Sequence, residues 1–431
     1  MNAHAIGMKT DKKSIFGWVM FDFANSAYTT LIVTFIYGTY FVKAIAPDEI
    51  VGTALWSRGV TITAISVALC SPVLGALADQ GNLRKAFLFI STVITVIGAA
   101  ALYFIQPGQI MAALVWFVIS NIAFELTMVF YNAFLPEIAP KEMIGRISGL
   151  GWGVGYIGGL MAMVIAMIGF INPEVPWFGL SKQTGAHIRA TNLLVAVWFS
   201  VFSIPLFLFV KDASTPASGS KADMVKNGLV DLRATFQEIR QYRQIVKFLI
   251  ARLIYNDALV TVFAFGGIYA AGTFGMGFKE IMVFGISLNV SAGIGALTMG
   301  YFDDRLGGKK TIQISNIVLA AATLLAVVSP NKPLFWAAGI LIGLFAGPNQ
   351  SASRSLLGRF VPRHKENQFY GFFAFSGKLT AFLGPLFLGI LTETFHSQRV
   401  GVSIVVLFFI IGMLLLTGVD EKEGIAAGQR I

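Results

Sequence analysis

Charge is scarce in this chain of 431 residues. Asp, Glu, Lys and Arg make up 13% of it, against roughly 25% in an ordinary soluble protein, while 56% is hydrophobic. Apolar runs of about 20 residues recur along the whole length, which argues against a single soluble core and predicts a polytopic α-helical membrane protein. Cysteine is nearly absent. Cys70 is the one thiol, inside an apolar run, so an internal disulfide is excluded and a thiolate metal site has no support. The chain does not open on a cleavable signal pattern, because its first apolar run is too long and lacks a small-residue cleavage site. A GxxxxGK[ST] phosphate loop is missing, and so is HExxH or a comparable metal constellation; ATP-driven transport by this chain alone and a membrane enzyme both lose their main support. No cofactor and no metal are expected. None of the four histidines falls deep in an apolar run, against a histidine proton relay.

What is present reads as twelve helices: about 15–42, 54–78, 85–105, 110–134, 146–170, 190–210, 247–271, 280–303, 310–329, 333–358, 367–392 and 399–419. The net charge of +10 could suggest nucleic acid. Its distribution points instead to membrane topology. One set of loops holds Lys9, Lys12, Lys13, Arg84, Lys85, Lys141, Arg146, a basic stretch from Lys211 to Lys247, Arg305, Lys309, Lys310, Arg359, Arg363, Lys365, Lys422 and Arg430. The other set holds only Lys43, Arg58, Lys182, Arg189, Lys279, Lys332 and Arg399. The positive-inside rule then places both termini in the cytoplasm. The expected organisation is a six-helix bundle over 1–210, a cytoplasmic linker over 211–246, a second bundle over 247–419 and a tail over 420–431. Within the linker, a flexible polar stretch runs to Ser220. Val225, Leu229, Leu232, Phe236 and Ile239 then repeat at helical spacing, as in an amphipathic helix on the membrane surface, either a tether or a docking element.

The halves repeat. Gly300-Tyr-Phe-Asp-Asp-Arg-Leu-Gly-Gly-Lys-Lys310 has a looser copy in Gly75-Ala-Leu-Ala-Asp-Gln-Gly-Asn-Leu-Arg-Lys85, with Gln80 and Asn82 departing from it. Gly149 and Gly155 recur as Gly371 and Gly377. The two turns resemble the loops between helices 2 and 3 and between helices 8 and 9 of the major facilitator superfamily. That resemblance implies two six-helix bundles working by alternating access, with substrate between them. It also implies that Asp79 and Asp304 approach the N-termini of helices 11 and 5, where a helix dipole favours a carboxylate. A cytoplasmic gate of Asp79, Arg84, Asp304, Arg305 and Lys309 follows; simple turn formation is the alternative. Gly151-x-x-x-Gly155-x-x-x-Gly159, with Gly293 and Gly300, is expected to form a gliding face between the halves, or else static close packing.

Six ionisable residues fall inside apolar runs: Asp22, Glu125, Asp257, Arg252, Arg354 and Lys378. Counted from the helix ends at ~1.5 Å per residue they lie about 7–16 Å deep. Three acids therefore face three bases in one layer, joined by Asn25, Ser26, Asn132, Asn256, Asn349, Gln350 and Ser351. Helices 1, 4, 7 and 10 line the cavity in the superfamily. Two readings stay open: buried ion pairs that fix helix register, or a site for a charged solute and a proton, with Asp22 or Glu125 as proton carrier and Lys378 on a substrate anion.

Phe21-Asp-Phe-Ala-Asn-Ser-Ala-Tyr28, Tyr131-Asn-Ala-Phe-Leu-Pro-Glu137, Ser148-Gly-Leu-Gly-Trp-Gly-Val-Gly-Tyr-Ile-Gly-Gly159, Tyr255-Asn-Asp257, Ser353-Arg-Ser355 and Gly377-Lys-Leu-Thr380 resemble the vacuole effluxer branch of the superfamily, apart from Ala258 where Gly is common. Its fungal members are autophagy-related amino-acid exporters. The resemblance implies a monomeric secondary transporter for a small polar solute, an amino acid or short peptide, with membrane lipids and protons as partners and no nucleic acid. It places the chain in a bacterial plasma membrane, or a vacuolar one if fungal. A lipid or amphiphile exporter and a non-transporting receptor are the other readings.

Overall fold

A computed structural model describes residues 11–430, apart from 82, 213–220, 238 and 239; of residues 221–225, 236, 278 and 279 only the backbone course is described. Among the described residues the chain is helical throughout, without strands. Spanning helices 2 to 6 are Glu49–Gly81, Arg84–Tyr103, Ile110–Asn132, Ile144–Ala166 and Ala186–Phe209. Helices 7 to 10 are Arg243–Phe274, Phe278–Leu306, Gly308–Val328 and Lys332–Phe360, and helix 12 is Gln398–Thr417. Helices 1 and 11 are irregular.

Helix 1 starts as an α-helix over Lys12–Ala27 and then widens into π-turns over Tyr28–Phe35 and Phe41–Ile45. It is not the uniform helix expected over 15–42. The hydroxyls of Thr29 and Thr30 donate back to Ser26 O at 3.1 and 2.8 Å. Such bonds compete with the backbone ladder, and the β-branched run that follows loosens it further.

Helix 11, expected unbroken over 367–392, is two half-helices: 11a, Glu366–Lys378, and 11b, Leu383–Phe395. Pro385 contributes to the break, since its ring lacks the N–H for Ala381, although Pro72, Pro205 and Pro348 sit within continuous helices.

Eleven of the spanning segments are long and apolar enough to cross a membrane on composition alone. The other is helix 10. Its inner half, Pro348-Asn-Gln-Ser-Ala-Ser-Arg-Ser355, is polar but mostly buried in protein, where a membrane chain tolerates such side chains.

The two six-helix bundles meet along helices 2 and 11a and along helices 5 and 8. Gly75 is closed over by the backbone of Asn367 and Gln368, and Gly371 by that of Ser71 and Pro72. On the other side Gly149 abuts Ala296 and Gly300, Gly153 abuts Leu297, and Gly145 abuts Asp303. The expected gliding stripe is therefore displaced. Gly151, Gly155 and Gly159 face Asp22, Ser26 and Thr30 of helix 1, inside one bundle, with Arg354 of the other bundle also reaching Gly151. Gly145, Gly149 and Gly153, two residues round the same helix, cross to the other bundle, where Gly293 and Gly300 meet them.

The linker helix, Lys221–Gln237, packs on helix 2 and the start of 11a. Gly228 sits against Leu77, and Asp231 pairs with Lys365 at 3.0 Å. Thr235 Oγ1 donates to Gln368 Oε1 at 3.3 Å. One side of this helix is thus held by protein; Leu229 and Val230 stay exposed, and the side chains of Val225 and Phe236, with Ile239, lie outside the described residues. The expected tail is a helix, Glu421–Arg430, whose Gly424 and Gly428 lie against Phe360.

Candidate functional site

The end of the molecule that carries the termini is sealed by two matching latches. Asp79 Oδ1 accepts from Asn367 N at 3.1 Å and Asn367 Nδ2 at 2.7 Å, and Oδ2 from Gln368 N at 2.8 Å. Asp304 Oδ1 accepts from Gly145 N at 2.7 Å, and Oδ2 from Arg146 N at 3.2 Å and Nε at 2.7 Å. Each carboxylate takes the first free amides of a helix in the opposite bundle, where the dipole favours negative charge. Arg84 joins the first latch, reaching Glu137 at 2.9 Å, Glu366 at 3.4 Å and Asn367 Oδ1 at 3.1 Å.

The second latch is assembled differently from the expectation. Arg305 is exposed. Arg359 takes the central place, on Asp303 at 2.7 Å and Asp304 at 3.5 Å, and Ser355 Oγ donates to Asp303. Lys309 Nζ turns to Thr417 O and Val419 O at 3.0 and 2.6 Å, closing the end of helix 12 rather than a gate. Sequence reasoning missed Arg146, Asp303, Arg359 and Glu366. Asp303 stood in the quoted motif, but helical spacing could not say which of two adjacent acids caps a neighbour.

Above the latches lies Arg354, 2% exposed. Its Nη1 reaches Asp22 Oδ2 at 3.0 Å and Asn132 Oδ1 at 3.2 Å; Nε and Nη2 reach the hydroxyl and carbonyl of Ser148 at 3.0 and 2.7 Å. Trp18 stacks on the guanidinium at 4.6 Å, and Asn25 Nδ2 donates to Asp22 Oδ1 at 3.3 Å. Asp22 and Asn132 belong to one bundle and Arg354 to the other.

Glu125 and Lys378 also pair across the bundles, at 2.6 Å. This pair remains 21% and 28% exposed, so it borders open space.

The single layer of three acids facing three bases does not form. Arg252 donates to Phe373 O and Ser376 Oγ, both at 2.7 Å, and lies 3.5 Å over the Phe373 ring. Asn256 Oδ1 accepts from it at 3.4 Å. Asp257 accepts from Gly384 N at 2.9 Å and has no ion pair among the described residues. Asn349 faces away, donating to Asn316 on helix 9 at 2.7 Å. Ser351 is buried, its carbonyl taking the Ser148 hydroxyl at 2.7 Å.

Beyond this layer a cavity of about 730 Å³ reaches the opposite end of the molecule. Tyr156 OH donates to Gln350 Oε1 at 3.1 Å at its inner limit. Ser26, Thr29, Thr30 and Thr34 form one wall; Trp152, Tyr156, Met163 and Met167 form another; Ile281, Ile286 and Asn289 of helix 8 complete it. Lys43, Lys182 and His187 sit near the mouth, and no carboxylate lines it among the described residues. The sequence had shown these basic residues only as loop or helix-end charges. Glu125 and Lys378 do not line this cavity. Every ion pair that crosses between the bundles, among the described residues, lies in the latches or the charged layer.

Comparison with known proteins fits this geometry. The chain is 25% identical over 426 residues to the uncharacterized MFS-type transporter YxiO of Bacillus subtilis, covering 98% of each. It is 22% identical to autophagy-related protein 22 of Yarrowia lipolytica, covering 80% of this chain and 72% of that one. Its fold matches the E. coli Fucose:proton symporter FucP with a TM-score of 0.72 at 14% identity, over 95% of this chain and 98% of the other. The family model described as vacuole effluxer Atg22 like matches residues 50–429, so the chain belongs to that family of major facilitator transporters: it is an integral, multi-pass membrane transporter, not an enzyme.

Proposed function

We propose that the protein is a secondary transporter for a small zwitterionic solute, an amino acid or short peptide, driven by protons through alternating access. The observation that carries this reading is the Glu125–Lys378 pair, with opposite charges 2.6 Å apart, from opposite bundles, both partly exposed. A zwitterion that inserts its ammonium against Glu125 and its carboxylate against Lys378 replaces one cross-bundle contact by two, so the pair exchanges its mutual contact for the solute. The loop charges support cytoplasmic termini, and the bacterial relative of equal length supports a plasma membrane. On that orientation the present state faces outward, and the chain acts as a monomer among membrane lipids.

A second reading has its own observation. The large cavity combines a wall of Trp152, Tyr156, Met163 and Met167 with basic residues at its mouth and, among the described residues, no acid, which suits an anionic amphiphile.

The test is uptake into proteoliposomes of labelled amino acids, short peptides and a fluorescent lysophospholipid, with and without a proton gradient. Saturable, gradient-enhanced amino-acid or peptide flux is expected, and Glu125→Gln and Lys378→Met should each weaken half-saturation by about tenfold, as the loss of one charge-assisted contact to the solute does. Unchanged affinity in Lys378→Met would remove the zwitterion assignment. Flux of the lysophospholipid alone would establish the amphiphile reading.

A further inference from the structure

Two of the three membrane carboxylates have a cation: Asp22 holds Arg354 and Glu125 holds Lys378. Asp257 does not. It is 1% exposed, its Oδ2 accepts from Gly384 N at 2.9 Å, and its Oδ1 has no hydrogen-bond partner among the described residues. It lies where helix 11 breaks. The Gly384 amide, in the first turn of 11b, points at it, and a Cβ at Gly384 would collide with Thr261 Oγ1 and stand 3.2 Å from Asp257 Oδ1. Carboxylate, hydroxyl and helix end therefore converge on one spot.

Most of the charged groups on the helices around it are engaged elsewhere; Glu393 of 11b is exposed at the far end of that half-helix. On its own helix, Arg252 is bound to Phe373 O and Ser376, and Tyr255 OH to Ser353. From 11a, Lys378 is on Glu125. From helix 10, Arg354 and Arg359 are on Asp22 and Asp303, and Lys332 is on Glu280 of helix 8. Asp303 and Asp304 of helix 8 belong to the latch. From helix 12, Arg399 donates to Val327 O. Beyond the membrane end, Glu421 and Glu423 of the C-terminal helix take Gly308 N and Gln244.

A carboxylate buried without a counter-charge is costly, and a bound cation removes that cost. A metal ion would need a shell of several oxygens, and among the described residues no group of three or more His, Cys, Asp or Glu side chains is placed to hold one. We infer that Asp257, at the break in helix 11, is the coupling-proton site, which moves that role from Asp22 or Glu125 to the second bundle. The inference rests on the proton-driven reading proposed above. The proton enters from solvent, forms an O–H bond on the carboxyl, and leaves by the same bond to the opposite side. Protonation replaces the charged acceptor of the Gly384 amide by a neutral one, so the hold on 11b weakens. The companion half-helix 11a carries Asn367 and Gln368 in the latch at one end and Lys378 at the other. A change at the break is thus placed to reach both.

Two measurements test this on the full chain. Infrared spectra of purified protein without solute are taken through a pH titration, for wild type and Asp257→Asn. Their double difference should contain a titrating carboxylic-acid C=O band on the high-frequency side of the surface carboxyls, as for an acid with few hydrogen bonds. Glu125→Gln and Asp257→Glu should retain such a band. Its absence from the double difference overturns the inference, as does its loss in Asp257→Glu. In proteoliposomes with a transported solute, Asp257→Asn should keep counterflow exchange and lose gradient-driven accumulation; retained accumulation also overturns it. The infrared arm needs no solute, so failure of the solute assignment leaves this test intact.

Discussion

At the scale of single residues, Arg354 has the most to lose. Its three nitrogens serve Asp22, Asn132 and both Ser148 oxygens, and it is nearly sealed from solvent. Cutting one side of such a pair leaves the other charge buried, at about 3–5 kcal/mol. Arg354→Gln should therefore lower the thermal midpoint strongly in detergent, and Arg354→Lys should recover little, because an ammonium cannot span the same fork. Combining Arg354→Gln with Asp22→Asn should restore part of the loss. A midpoint within error of wild type in Arg354→Gln would show the pair to be energetically idle. The sequence supplied the six ionisable residues of this layer, because charge inside an apolar run is visible. It could not supply the pairing. Partners such as Asp22 and Arg354 are 332 positions apart, and only the docking of two bundles decides which acid meets which base. That is also why Asp257 read like the other two acids until its surroundings were seen.

At the scale of helices, two glycine faces on helix 5 have different work. Gly149 meets Ala296 and Gly300 across the bundles, whereas Gly155 meets Ser26 and the Asp22 carbonyl within one. Gly149→Leu should hold the sealed end apart, raising the reactivity of a cysteine introduced there toward a thiol reagent, with little loss of folded yield. Gly155→Leu should instead overpack a bundle, at about 1–3 kcal/mol, and lower the thermal midpoint. Equal behaviour of the two variants would contradict this division. Glycine spacing announced that helix 5 has smooth faces, but a four-residue repeat fits more than one stripe of a glycine-rich helix, and the wrong one was assigned to the interface. The break in helix 11 carries a breaker signal, Pro385 after Gly384, but Gly347-Pro348 stands inside the unbroken helix 10, so sequence alone does not tell the two apart. The π-turns of helix 1 had no comparable mark, since a run of Thr, Leu, Ile and Val suits an ordinary membrane helix equally well.

At the scale of the molecule, the internal repeat becomes a pair of latches. Asp79 and Asp304 cap helices 11a and 5 in related ways. A carboxylate at a helix start contributes about 0.3–1 kcal/mol or somewhat more when partly buried. Asp79→Asn or Asp304→Asn should each shift the balance toward the state open at the termini end by up to about fivefold, and the double variant by the product, since separate sites add. Distances between spin labels on helices 2 and 11a, and on helices 5 and 8, would report it; an unmoved distribution in the double variant would deny the latches their role. The turn motif made this arrangement the most readable part of the chain, although Arg359 had to be found in three dimensions. The linker helix lies over the first latch, held by Asp231 and Lys365, whose side chains are 21% and 18% exposed. The ionic contact beneath it is drier: Arg84 and Glu366 are 8% and 7% exposed. Dissolved ions screen exposed charges far more than buried ones. Rising ionic strength should therefore peel the linker helix away first while the Arg84–Glu366 contact of the first latch holds beneath it, so that a saline medium frees the connector between the bundles before that latch opens.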